Sequence, residues 1–284
     1  MPIVLGDNQY GKAETHVVRI TKTDGPHDIK DLTVSVALAG DFADTHLTGD
    51  NSKVVATDTQ KNTVFAFAGG GPIGEIEDFG IRLARHFVSE FSSVYRARVS
   101  IEEFLWNRID EHAFVRSGPE KRLATVTCTD DGTWVVGGVA DLVVLKSSGS
   151  EFHGFLRDRF TTLADTSDRI LATSVVARWR YGHSDANWAL SRGEIRRILL
   201  ETFATKHSLS LQQTLFAMGQ AVLEARPEVA EVRMSMSNKH HFTVDLAPFG
   251  MANENEVFYA SDRPYGLIEG TVLRDDAPDA GLAW

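Results

Sequence analysis

Residues Leu32-Thr33-Val34-Ser35-Val36-Ala37-Leu38 alternate large apolar side chains with small or polar ones. An extended chain repeats every two residues, so Leu32, Val34, Val36 and Leu38 share one face while Thr33 and Ser35 take the other. This is the pattern of a half-buried strand. Upstream, Thr15 to Thr21 is rich in β-branched residues, and Asp24-Gly25-Pro26 supplies a turn between the two runs. The pair reads as an antiparallel hairpin.

Downstream the period changes. Ile76, Phe79, Leu83, Phe87 and Phe91 fall three or four residues apart, which places them on one face of a helix. Val94–Ile109 and His112–Thr129 are extended again, and Asp130-Asp131-Gly132 turns the chain. The second half repeats this order. Val135–Lys146 is strand-like, and Ser174–Tyr181 alternates Val175, Ala177, Trp179 and Tyr181 against polar or charged partners. Two helices follow, each with capping-box spacing: Ser191 with Glu194, and Ser210 with Gln213. Pro227 closes the second, and Val229–His240 and Glu256–Leu273 are extended.

Strand, strand, helix, helix, strand, strand thus occurs twice. The expectation is an α+β chain of two tandem units, each an antiparallel four-stranded sheet with two helices on one face. The boundary falls near Gly132–Gly137, giving units 1–134 and 135–284. Such sheets have open edges, and edges invite pairing, so a closed symmetric oligomer is expected.

Composition narrows the function classes. The 284 residues are 43% hydrophobic and 24% charged, ordinary values for a globular protein. Net charge is -10 and no basic stripe stands out, which argues against nucleic acid and anionic membranes as partners. No stretch approaches the ~20 apolar residues of a membrane span. The single cysteine, Cys128, cannot form an intrachain disulfide, and its alternating neighbourhood reads as a small buried hydrophobe. The N-terminal residues lack a signal-peptide pattern, and Gly281-Leu282-Ala283-Trp284 is no peroxisomal address, so a cytoplasmic location is expected.

Three places break the structural pattern. In Val54-Val55-Ala56-Thr57-Asp58, Thr57 or Asp58 suits a helix N-cap. The segment is either a cap alone or a helix start that offers free N–H groups to an anion or a carbonyl-rich ring. Val64-Phe65-Ala66-Phe67, just beyond, reads as a strand. In Ser237-Asn238-Lys239-His240-His241, Asn238 and His240 share parity with Val232, Met234 and Met236. That is either an exposed strand end or two polar groups closing an apolar face. Adjacent His240 and His241 point to opposite faces, and no Cys/His spacing elsewhere suits zinc, so no metal is expected. Phe152-His153-Gly154-Phe155-Leu156-Arg157-Asp158, continuing to Asp168-Arg169, is either a loop with surface ion pairs or a site with aromatics to stack on a flat ring and arginines to grip its oxygens. Gly69-Gly70-Gly71-Pro72 lacks the spacing of a nucleotide-binding loop.

Taken together, these segments resemble the urate oxidase family. The matching pieces are Tyr10-Gly11-Lys12, Ala56-Thr57-Asp58 with Lys61-Asn62-Thr63, Phe152 through Thr162, Asp168 to Leu171, Leu211-Gln212, Asn238-Lys239-His240, Glu256-Val257-Phe258 and Gly266-Leu267-Ile268. Their order, from about Tyr10 to Arg274, is more specific than any one of them. His153 and His241 stand where other members carry aromatics.

The resemblance implies the tunnelling fold, with two units per chain, dimers closing a barrel and two barrels stacked as a homotetramer. It implies oxidation of urate by O2 to 5-hydroxyisourate and H2O2, without a cofactor. Phe152 would stack on the purine, and Arg169, Gln212 and the Leu211 backbone would hold its pyrimidine edge. Thr57 and the Asp58 backbone of a neighbouring chain would receive the other edge, and Asn238 would hold O2 or water. Lys12, Thr57 and His240 would form the proton relay, with Lys12 as base. Two other readings share parts of this pattern: a tunnelling-fold enzyme acting on a pterin or GTP-like ring, and a non-catalytic purine-binding module.

Overall fold

The hairpin stands where the alternation places it, as β1 (Tyr10–Thr21) and β2 (Asp28–Gly40), antiparallel, with Val17 opposite Leu32 and Thr21 opposite Asp28. The structure is a computed structural model that describes residues 2–284. It divides into two units. The first takes residues through Gly138 together with Arg178–Arg192 and Pro278–Trp284, and the second takes Val139–Ala177 and Gly193–Ala277.

In the first unit β3 (Val94–Asp110) and β4 (Ala113–Cys128) extend the hairpin in the order β1-β2-β3-β4, all antiparallel. Two helices, α2 (Thr57–Gly69) and α3 (Ile76–Glu90), follow a single-turn α1 (Ala43–Leu47) that the apolar pattern does not announce. Ile76, Phe79, Leu83 and Phe87 are fully buried where α3 packs on β3 and β4. Burying each contributes roughly 1.5–3 kcal/mol, so this stripe is the centre of the unit's core. Glu77 and Asp78 in the first turn complement the helix dipole.

Val64–Phe67 is helical rather than extended, which corrects the strand expected from its composition. Gln60, Val64 and Ala68 recur every four residues and form the buried face of α2, while Phe65 stays exposed. A helix that can lay that face on β1 overrides the β-propensity of a four-residue run.

A buried charge cluster joins α3 to the sheet. Arg122 donates to Glu77 at 2.6 Å and to Glu75 at 2.5 Å, and Lys30 donates to Glu103 at 2.6 Å. Burial lifts the Glu77 carboxyl above its usual range, against the pull of Arg122. Cys128 is buried, and burial pushes its thiol up.

The chain passes between units within β5 (Thr133–Lys146) and returns within β6 (Leu171–Tyr181). The second unit then adds α4 (Trp188–Thr205), which begins in the first, and α5 (Leu211–Ala225), followed by β7 (Val229–Asn238), β8 (His240–Thr243), β9 (Phe258–Ser261) and β10 (Leu267–Leu273). Its main strands run in the order β5-β6-β7-β10, and β8 pairs with β9 as a separate hairpin. The long extended stretches expected here are therefore interrupted. β7 ends at Asn238, whose N–H donates to Gly266 O at 2.9 Å, and the next N–H, of Lys239, donates to Ala172 O of β6 at 2.9 Å.

Ser210 caps α5 as expected: its Oγ accepts the Gln213 N–H at 3.1 Å, and Gln213 Oε1 accepts the Leu209 N–H at 3.0 Å. Ser191 does not cap α4. The helix starts earlier, and Asn187 Oδ1 accepts the Leu190 N–H at 3.1 Å. Asparagine caps as well as serine, so the extra turn costs nothing at the terminus, and Ser191 is instead buried beside Tyr181.

Among the described residues no further strand pairs with the outer side of β1 or of β10. These edge strands expose Val18 and Ile20, and Leu267 and Leu273, respectively. No helix is long and apolar enough to cross a membrane.

Candidate functional site

The first unit gathers Lys12, Thr57 and Asp58. Lys12 pairs with Val36, and the β1–β2 register then slips before Thr15 meets Val34. This bulge places Glu14 at φ 56, and the Glu14 N–H donates to Ser35 Oγ at 2.9 Å. Bulges re-aim the side chains beside them, and Lys12 stands at the start of this one. Gly11 is required by close approach: a Cβ there would lie 1.8 Å from Val36 O.

Tyr10 ties this strand start to the loop before α2. Its hydroxyl accepts the Val55 N–H at 2.8 Å and donates to Val55 O at 3.1 Å. Buried Gln60 also donates Nε2 to Val55 O, at 3.2 Å. The N-cap of α2 is Ala56, not Thr57 or Asp58, which are the first two helical residues. Alanine has no side-chain acceptor, so no side chain caps this terminus and its positive end is left for another group. Thr57 and Asp58 are both exposed there. Asp58 bonds Lys61 and Asn62, and its carboxyl is held low, first by Lys61 and also by the charge of Lys12. Lys12 therefore lies within electrostatic reach of the start of α2.

The Tyr10 clasp makes a prediction. Tyr10→Phe leaves the Val55 N–H without its partner and should lower stability by about 1–3 kcal/mol. Loosening the contact that registers Lys12 against Thr57 should also reduce turnover, by up to about 10²-fold. Denaturant titration and steady-state kinetics on the variant check both, and a variant with wild-type kcat removes Tyr10 from the site's support.

The second unit carries Phe152, Arg169, Leu211, Gln212, Asn238 and His240. Phe152 N–H and O pair with Thr166 O and N–H at 2.8 and 3.0 Å. Its ring stacks on Phe155, with centroids 5.1 Å apart and planes 10° apart. Arg169 lies over the Phe152 ring at 5.1 Å. The Arg169 N–H donates to Ser150 O at 2.8 Å, and its Nε is buried with no partner. Burial lowers the guanidinium's pKa, the expected cost of withdrawing a cation from water. Asp168 fixes the loop: it accepts Ser148 Oγ at 2.7 Å and the Gly149 N–H at 2.8 Å, bonds that hold its carboxyl low.

Leu211 and Gln212 are the first residues of α5, Leu211 buried and Gln212 exposed. Asn238 ends β7, its N–H on Gly266 O at 2.9 Å and its Oδ1 buried without a partner. Gly266 leaves it room, since a Cβ there would sit 3.0 Å from Asn238 Nδ2. His240 opens β8, its ring 5.7 Å from that of Phe242. Lys239 and His241 instead line a cavity of about 320 Å³ with Val143, Leu145 and Ala172. Among the described residues no three His, Cys, Asp or Glu side chains are placed to hold a metal ion.

A family model described as Uricase matches residues 8–127 and 135–269. The chain belongs to the uricase family. It is 52% identical over 275 residues to the uricase of Arthrobacter globiformis, an alignment covering 96% of this chain and 91% of the relative. With the uricase of Dictyostelium discoideum it shares 38% identity, covering 95% and 97% of the two chains. It superposes on the crystal structure of the Arthrobacter globiformis uricase with a TM-score of 0.95 at 50% identity, covering 98% of each chain. On that of Bacillus fastidious the TM-score is 0.80 at 26% identity, covering 96% of each.

Every candidate residue of both units lies within the segments matched to the family. What the sequence did not disclose is the support around them: the Tyr10–Val55 clasp, buried Gln60, the Asp168 anchor and the space kept by Gly266. Tyr10, Asp168 and Gly266 fall inside the quoted motifs, which was the available signal, but a motif names residues without naming their partners.

Proposed function

We propose that this chain is a urate oxidase that converts urate, O2 and water to 5-hydroxyisourate and H2O2, in the cytoplasm, using no cofactor. The observation that carries this is, in a uricase-family chain, an Arg169 guanidinium that lies over the Phe152 ring and has a buried, unpartnered Nε. A buried donor without a partner costs about 1–3 kcal/mol. A flat, carbonyl-rich heterocycle stacked on Phe152 would relieve that cost while engaging the planar fork of Arg169.

In this proposal Gln212 and the Leu211 N–H hold the same edge of the substrate as Arg169. The orphaned Asn238 Oδ1 can accept a hydrogen bond from water, and the Nδ2 of the same side chain can donate one to O2. Thr57 and the uncapped N–H groups of α2 receive the opposite edge through the Asp58 backbone. Lys12 takes a ring proton, Thr57 passes it on, and His240 sets the polarity of the relay. Two electrons leave the ionised ring for O2, which with two protons becomes H2O2, and water adds to the oxidised ring. The substrate supplies both electrons, so the overall chemistry balances without a separate reductant.

The two groups belong to the two halves, 1–134 and 135–284, which we take as tandem tunnelling-fold units. The open sides of β1 and β10, with their exposed Val18, Ile20, Leu267 and Leu273, favour closure by other copies of the chain. A homotetramer with sites shared between chains follows. The purified protein mixed separately with urate, a pterin and GTP, and followed by ultraviolet absorbance, should consume urate alone. Turnover of either other ring, or urate binding without loss of absorbance, rejects the assignment.

A further inference from the structure

Glu151, His153 and His207 form a cluster that the proposed mechanism does not use. Each carboxylate oxygen of Glu151 has its own histidine: Oε2 faces His153 Nε2 at 3.0 Å, and Oε1 faces His207 Nε2 at 2.9 Å. Glu151 immediately precedes Phe152 and His153 immediately follows it, so this contact braces the backbone on both sides of the ring. His207 comes from the segment that leads into α5, which opens with Leu211 and Gln212.

The backbone connection between these segments is slight. Ser150 and Ser208 meet in a single parallel bridge, in which the Glu151 N–H donates to Ser208 O at 2.8 Å and the Ser208 N–H to Gly149 O at 2.9 Å. Both serines are fully buried, Thr214 Oγ1 donates to Ser208 Oγ at 2.8 Å, and the Arg169 N–H ends on Ser150 O. Phe152, Arg169 and the start of α5 thus converge on two residues of β-type pairing. A bridge that short fixes position poorly, and a bridging carboxylate adds the side-chain cross-link it lacks. The Glu151 carboxyl is held below its usual range, first by the bond from His207, so the bridging carboxylate is ionised throughout the neutral range.

We propose that Glu151, bridging His153 and His207, is a positioning residue that holds Phe152 and Arg169 in register with Gln212 and thereby sets the affinity for urate. This rests on the assignment of those three residues to the substrate site. It is distinct from catalysis: Glu151 acts through its neighbours, so its loss should fall on binding.

Urate titrated anaerobically, where it binds without turning over, reads affinity directly. Glu151→Ala should raise the dissociation constant and KM about tenfold and leave kcat within about threefold. Glu151→Gln, whose amide can still bond a histidine, should recover most of that loss. His153→Ala and His207→Ala should each weaken binding several-fold, and neither should add to the loss in the Glu151→Ala background. If Glu151→Ala does not fold, the His153→Ala/His207→Ala double variant carries the same expectation. Wild-type affinity in these variants, or a fall in kcat at unchanged affinity, overturns the proposal. Phe152→Ala separates the two levels. If it weakens urate binding while Glu151→Ala does not, only the cross-link is wrong; if it leaves binding intact, the site itself is misplaced.

Discussion

Lys12→Met slows urate turnover by about 10²–10⁴-fold, equivalent to roughly 3–5 kcal/mol in the barrier, and leaves urate binding within a few-fold of wild type. Methionine preserves the hydrocarbon bulk of a half-buried side chain, and the pairing of residue 12 with Val36 uses only the backbone. The change therefore removes the proton acceptor and little else. Binding persists because Phe152, Arg169 and Gln212 belong to the other unit of the chain. Single-turnover kinetics on pre-bound urate isolate the chemical step. Were Lys12 only a solvated charge at a strand start, the variant would oxidise bound urate at the parent rate, and stability would move by about half a kcal/mol or less.

Mixed oligomers give the second large effect. Thr57→Ala and Arg169→Ala homo-oligomers should both be nearly inactive, since every site in either carries a defect. If each site draws Thr57 from one chain and Arg169 from its neighbour, random 1:1 mixing restores intact sites in about a quarter of cases. Activity should therefore rise to about a quarter of wild type after co-refolding or co-expression. Native mass spectrometry shows whether mixed species form. Mixed species with no recovered activity would place both residues of a site on one chain.

How far the sequence led depends on the range of the interaction. The β1–β2 hairpin, the apolar stripe of α3 and the Ser210 cap were legible because period and capping are local and repeat within a few residues. Val64–Phe67 was misread because four residues carry too little period to separate a strand from a helix, and the deciding face uses Gln60 and Ala68 outside that run. Ser191 was misread for a related reason: serine three residues before glutamate is a valid cap, but Asn187 one turn earlier is an equally good one, and Trp188 then bonds Asp78 at 2.7 Å. The site residues were recognisable as a set of ordered motifs. Their supports were not, because Tyr10 meets Val55 across 45 residues and Glu151 meets His207 across 56. No local pattern reports a contact at that range.

Oxidation of urate without a cofactor is tested most directly by stoichiometry on protein that has been exhaustively chelated and freed of small molecules. Urate lost, O2 consumed and H2O2 formed, followed together by ultraviolet absorbance, an oxygen electrode and a peroxide assay, should stand at about 1:1:1, at a rate chelation does not change. Loss of turnover on chelation with recovery on adding one particular metal, or urate loss without peroxide, would contradict it.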